Sequence, residues 1–325
     1  MKALLCKAFG PPESLVLEEV ASPTAGPGQV VIAIHACGVN FPDVLVLQNK
    51  YQHKPPLPFA PGSEVAGTIK SVGAGVIGHK PGDRVMAYLM YGGCAEEVVA
   101  DAGSLAPIPE RLDFVHASAF LMTYGTAFYA LNERARLQPG ETLLVLGAAG
   151  GTGIAAIEVG KALGARVIAA ASSADKLALA RDHGADQGIE YESEDLKQRI
   201  RDLTAGQGAD VIFDPVGGRY SEAALRSIAW NGRFIVIGFA AGDIPRIALN
   251  LPLLKGCAIV GSPWGAFLRR SREDQQRHWR ELLELYGRGG LDPAVTATYP
   301  LARAGEALRE MMERRVKGKV AIVVR

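Results

Sequence analysis

The stretch Glu141-Thr-Leu-Leu-Val-Leu-Gly-Ala-Ala-Gly-Gly-Thr-Gly153 admits few folds. An apolar run of strand length breaks into clustered glycines and reopens as the alanine-rich Ile154-Ala-Ala-Ile-Glu-Val-Gly-Lys-Ala-Leu163, which predicts strand, tight turn and helix. Such a turn holds a dinucleotide pyrophosphate. Glycines let the backbone approach the phosphates, and the unpaired amides of a helix N-terminus, with their roughly half-unit positive charge, stabilise the anion. Gly150, Gly151, Thr152 and Gly153 are the expected phosphate-binding residues.

Behind the turn, strand and helix alternate: strand 165–171, helix 174–183, a short strand near 186–189, helix 193–203, strand 209–214, helix 219–229, then strands 232–238 and 256–262. This is the pattern of a doubly wound parallel α/β sheet. Residues 1–110 read differently, with short β-rich runs punctuated by Pro27-Gly28, Pro61-Gly62 and Pro81-Gly-Asp83. A helical stretch from about 115 to 136 joins the two halves. Polar helical segments at 271–287 and 302–315 and a terminal strand at 319–325 are expected to rejoin the first half, because the nucleotide sheet already has its strands.

The end of the second strand selects the dinucleotide. Where an acidic residue ordinarily accepts the ribose 2′-hydroxyl of NAD, Arg166-Val-Ile-Ala-Ala-Ala-Ser-Ser-Ala-Asp-Lys176 offers alanine and two serines. Ser172 and Ser173 can donate to a 2′-phosphate and Lys176 can add charge, so NADPH is the expected cofactor, with Asp175 as the dissenting residue. Tyr191, just past the third strand, is a candidate to stack or hydrogen-bond near the same phosphate.

Charge and cysteine usage narrow the classes further. Thirty-five basic and 34 acidic residues leave a formal charge of +1, so no overall field favours nucleic acid or an anionic membrane. The four cysteines, Cys6, Cys37, Cys94 and Cys257, form no CxxC pair, which argues against a disulfide framework or structural zinc and for a reducing cytoplasm. No stretch approaches the ~20 apolar residues of a membrane span.

Cys37-Gly-Val-Asn-Phe-Pro-Asp43, Leu57-Pro-Phe-Ala-Pro-Gly-Ser-Glu-Val-Ala-Gly67, Pro81-Gly-Asp-Arg-Val85 and the glycine turn run in the order of one family. Over nearly its whole length the chain resembles a medium-chain dehydrogenase/reductase, and within that superfamily the zinc-free quinone oxidoreductases related to zeta-crystallin. The resemblance implies a Rossmann NADPH-binding domain at 121–264 and a β-rich, GroES-like catalytic domain made of 1–120 plus 265–325. Zinc alcohol dehydrogenases of the superfamily carry cysteine and histidine ligands where Asn40 and Ser63 stand, and neither replacement is a good zinc ligand. No metal is therefore expected, and direct hydride transfer from NADPH to a quinone is the implied reaction. An α,β-unsaturated carbonyl or enoyl ester is the alternative acceptor, and a catalytically quiet NADPH-binding protein the alternative class.

The resemblance also distributes roles. Asn40 is placed near the nicotinamide as the orienting amide, Tyr51 beside the substrate as a hydrogen-bond donor, and Asp43 as a residue that orients its neighbours. Met122, Thr126 and Phe239 line the nicotinamide site, Trp264 closes the substrate pocket or meets a subunit, and Lys319 reaches back to the cofactor. Pairing across Ala258-Ile-Val-Gly261 implies a homodimer. Family members usually carry glutamine where this chain has Glu158.

Overall fold

Leu143, Leu144, Val145 and Leu146 are each fully buried, as expected of a parallel strand covered on both faces. In the computed structural model, which describes all 325 residues, this strand, Thr142–Leu146, lies inside a six-stranded sheet. Across that sheet the strands run Gln187–Glu190, Arg166–Ala171, Thr142–Leu146, Ala209–Asp214, Ile228–Val236 and Ala258–Gly261. All pairings are parallel, and in chain order the arrangement reads 3-2-1-4-5-6, the doubly wound order of a Rossmann sheet. The order reverses between Thr142–Leu146 and Ala209–Asp214, and a crevice at the carboxyl ends of such strands is where this architecture binds ligands.

These strands belong to one of two units, comprising Thr123–Ser271 and Arg280–Asp292. The other comprises Met1–Met122, Arg272–Trp279 and Pro293–Arg325. Its seven-stranded sheet centres on Gln29–Val39, which pairs antiparallel with Glu64–Val72, Glu97–Asp101 and the terminal strand Lys319–Val323. Register there sets Val320 opposite Val39 and Val323 opposite Ala36. Alternate residues of the central strand, Val30, Ile32 and Ile34, pack with Val65, Ile69, Val320 and Ile322 in the core of this unit.

Three sequence expectations need correction. The helical joint is not continuous from 115 to 136: it forms Phe114–Ala117, Leu121–Phe128 and a π-helical turn at Tyr129–Arg134. At the break the Ala119 and Phe120 amides bond three residues back, to His116 O and Ala117 O, and the Ser118 carbonyl packs 2.0 Å from where a Cβ on Gly38 would be. The helix expected at 219–229 stops at Leu225, and a strand begins at Ile228 whose register against Ala209–Asp214 shifts between Ala209 and Val211. Asn231, in the left-handed region at φ 61°, absorbs the irregularity. Finally, the segment after 265 is divided. Arg280–Asp292 associates with the nucleotide unit, where the Asp292 N–H donates to Glu158 at 2.8 Å. No helix is long and apolar enough to cross a membrane.

Candidate functional site

In the nucleotide unit the chain leaves Leu146, turns through Gly147 at φ 60° and enters the helix Gly151–Ala162 with Gly150 as N-cap. Gly150 has no side chain to cap the first amides, which stay available to a ligand. Gly153 sets the closeness of helix and turn: a Cβ there would lie 2.3 Å from Gly147 O and 2.8 Å from Ala148 Cα. The cradle therefore fits a pyrophosphate approached by bare backbone, and it depends on glycine at 153.

Beside the cradle, Arg166–Ala171 ends in Ser172, whose Oγ accepts from Lys176 Nζ at 2.9 Å. Tyr191 shares a hydrogen bond with Ser172, and burial pushes its phenol up to about 12, so it remains a neutral donor. Ser172, Lys176 and Tyr191 thus converge, presenting hydroxyls and one ammonium. Ser173 stands apart as the N-cap of Ala174–Asp182, and its hydroxyl is spent on the Asp175 carboxylate. That bond engages the Asp175 carboxylate, the residue of this segment whose charge opposed a 2′-phosphate.

The first unit holds a buried polar knot. Asn40 ends the central strand and caps Phe41–Leu47, and its backbone N–H donates to Asp43 Oδ2 at 2.8 Å in a capping box. Lys319 Nζ, on the terminal strand, donates to Asn40 Oδ1 at 2.6 Å, to Val39 O at 3.0 Å and to Glu64 Oε2 at 3.3 Å. An ammonium has three donors, and all are used here. Asn40 Nδ2 in turn donates to Glu64 Oε2 at 3.1 Å and Gly38 O at 3.3 Å. The amide cannot be flipped, since the ammonium requires the oxygen and the carboxylate requires the nitrogen. Glu64 Oε1 accepts from the Met122 N–H at 2.8 Å. Glu64 has no exposed surface and Lys319 only 3 %.

Asp43 shares this burial. Loss of hydration raises its carboxyl to about 6, against the opposing pull of the Asn40 N–H, the Ser63 hydroxyl and Lys319. It is protonated below that pH and anionic above it. As a zinc site the knot does not fit. Asn40 and Ser63 are weak donors, and the Lys319 ammonium already occupies the oxygens that a dication would need.

The remaining expected residues divide between the two units. Tyr51 is half-buried against the first unit's core, and Met122 brings its sulfur 3.9 Å from Ser63 Oγ. Thr126 is partly exposed, and Phe239 is 37 % exposed beside Gly217. Trp264 is buried, its indole 2.6 Å from where a Cβ on Gly125 would stand, so within the nucleotide unit it supports the helix Leu121–Phe128. Sequence reasoning quoted Glu64 but gave it no role. Its signal was an ionisable residue inside the apolar run Val65-Ala66 with the late Lys319 as the available counter-charge.

Comparison with known proteins adds relatives. Residues 26–110 match the family model described as alcohol dehydrogenase GroES-like domain, and 151–287 the one described as zinc-binding dehydrogenase. A quinone oxidoreductase-like protein 2 homolog of Nematostella vectensis is 40 % identical, covering 99 % of this chain and 88 % of that protein. Among solved structures, a mycobacterial protein complexed with NADPH superposes with a TM-score of 0.93 at 31 % identity over the whole of both chains. Escherichia coli quinone oxidoreductase complexed with NADPH does so with a TM-score of 0.93 at 28 % identity, again over the whole of both.

Proposed function

Since the chain belongs to the quinone oxidoreductase family of the medium-chain dehydrogenases/reductases, we propose that it is an NADPH-dependent reductase whose acceptor is a quinone, reduced by hydride transfer without zinc. What carries this reading is the glycine cradle at the start of Gly151–Ala162 with Ser172, Lys176 and Tyr191 converging in the same unit, a set of hydroxyls and one ammonium suited to a 2′-phosphate. Bound at the cradle, the reduced dinucleotide supplies the hydride. Gly150, Gly151, Thr152 and Gly153 hold its pyrophosphate, and Ser172, Lys176 and Tyr191 its 2′-phosphate. Thr126, Met122 and Phe239 line the nicotinamide, while Tyr51 donates to the acceptor oxygen as charge develops there.

Asn40 acts in this reading as a positioning residue, because both ends of its amide are engaged by Lys319, Glu64 and Gly38. It holds the start of Phe41–Leu47, and with it Asp43, in place. The decisive measurement is NADPH oxidation against a panel of quinones, enones and enoyl esters, together with NADPH and NADH affinities of wild type and Lys176→Ala. Quinone turnover and about a tenfold loss of NADPH affinity in the variant, with NADH unaffected, are expected for one charged phosphate contact. Turnover confined to enones would move the acceptor class, and equal affinity for both dinucleotides would sink the phosphate assignment.

The protein is also proposed to be a homodimer paired across Ala258–Gly261. That strand is the unpaired edge of its sheet, Ile259 on it is 42 % exposed, and Leu253 and Leu254 of the preceding helix are 78 % and 73 % exposed. Sedimentation at micromolar concentration should give twice the 34.4 kDa chain mass, and Ile259→Lys should give the monomer. A monomeric wild type would end this proposal.

A further inference from the structure

Three side chains that the cofactor reading leaves unused continue its phosphate cluster outward. The ring of Tyr191 lies against that of Tyr220, with centroids 4.2 Å apart. Arg219 places its guanidinium over Tyr220, 4.9 Å from the ring centroid. Its Nη2 donates to Glu192 Oε2 at 2.6 Å and to the Tyr220 hydroxyl at 2.8 Å, while that hydroxyl donates to Glu192 Oε1. Contact is thus unbroken from Lys176 through Ser172, Tyr191 and Tyr220 to an arginine held by a carboxylate.

We propose that Arg219 is a specificity-determining residue for the adenosine 2′-phosphate, held in reserve by Glu192 and delivered when the phosphate arrives. The inference rests on the NADPH reading above. The Arg219 and Glu192 side chains are 70 % and 46 % exposed, and an ion pair open to water is weak, so releasing the guanidinium costs little. A phosphate monoester offers up to two negative charges and several acceptor oxygens, for which a planar guanidinium is the better matched cation. Stacking on Tyr220 keeps the arginine beside Tyr191 while it exchanges partners. Glu192 opposes binding twice, by competing for Arg219 and by its like charge toward the phosphate.

The test is calorimetric titration of NADPH and NADH into wild type, Arg219→Ala, Glu192→Gln, the double variant and Lys176→Ala, at low and high salt. Arg219→Ala should weaken NADPH about fivefold and Glu192→Gln tighten it about threefold, both fading at high salt and neither moving NADH by more than about twofold. The double variant should bind NADPH less tightly than Glu192→Gln alone, which isolates the contribution of Arg219 from the repulsion of Glu192. Unchanged NADPH affinity in Arg219→Ala while Lys176→Ala loses discrimination would overturn this inference and leave the phosphate pocket standing. If Lys176→Ala also leaves discrimination intact, the pocket falls and the inference with it. Equal shifts for both dinucleotides would overturn it as well.

Discussion

Lys319→Met is expected to destabilise the first unit by about 3–5 kcal/mol, the cost of leaving a buried carboxylate without its counter-charge. Glu64 is wholly buried and receives two donors on Oε2, the Lys319 ammonium at 3.3 Å and the Asn40 amide at 3.1 Å. Methionine matches the length of the lysine stem but offers nothing to Glu64 Oε2, Asn40 Oδ1 or Val39 O. The three acceptors would then face an apolar group, and the Asn40 amide would lose the bond that fixes its orientation. Urea unfolding, with hydrogen exchange of the Gln29–Val39 amides, measures the loss. Because most of the cost is the stranded charge, Lys319→Met/Glu64→Gln should recover the greater part of it. A loss below about 1 kcal/mol in the single variant would overturn the reading of Lys319 and Glu64 as an interdependent buried ion pair.

How this knot escaped sequence reading shows what patterns carry. Glycine spacing and unbroken apolar runs report local geometry directly, so the turn at 147–153 and the parallel strands behind it were legible. Lys319 and Glu64 are 255 positions apart, and two antiparallel pairings bring them together, Gln29–Val39 being flanked by Lys319–Val323 on one side and by Glu64–Val72 on the other. The family resemblance offered Lys319 to the cofactor and Asn40 to the nicotinamide as its orienting amide. It carried no sign that they answer each other's valences. Likewise, helical periodicity continued through Ser118 because periodicity marks faces, while at the break the Ala119 and Phe120 amides bond three residues back, and Ser118 O packs where a Cβ on Gly38 of a distant strand would be. Tyr220 and Arg219 were silent for the same reason: their meaning lies in Tyr191 and Glu192, on another strand connection.

Glu158 was legible only as a departure, an acid where the family resemblance leads one to expect glutamine. Its position in the second turn of Gly151–Ala162 says nothing of its partners, which come from three other segments. Tyr124, on Leu121–Phe128, donates its hydroxyl to Oε2 at 2.6 Å, the Asp292 N–H donates to the same oxygen at 2.8 Å, and His183 Nδ1 lies 2.5 Å from Oε1. The carboxylate is 4 % exposed, and Tyr124 is buried with its phenol raised well above the usual range, chiefly by loss of hydration. One anion therefore ties together the phosphate-binding helix, the helix under Trp264, the end of Ala174–Asp182 and the loop before Pro293.

From that arrangement comes a pH-dependent difference between this chain and its glutamine variant. The hydrogen bond to Glu158 raises the His183 pKa above its usual value, with the nearby charges of Asp292 and Asp182 adding to it against burial. A raised histidine stabilises the fold fully below the unfolded value of about 6.5, and that contribution is lost as pH rises through the folded value. Glu158→Gln keeps an oxygen for Tyr124 and Asp292 and presents an amide N–H to a neutral His183, but it cannot pair with the imidazolium. The variant should therefore be less stable than wild type by about 1.5–3 kcal/mol near pH 5.5, the range of a hydrogen bond to a charged group. As pH rises and His183 loses its proton in both proteins, the gap should shrink to about a few tenths of a kcal/mol. Thermal midpoints of the two proteins across pH 5–9 test this, with His183→Gln as the control that should flatten the wild-type profile. A gap that stays constant over the range, or one that widens toward alkaline pH, would show that Glu158 holds His183 as a neutral hydrogen-bond partner and not as an ion pair.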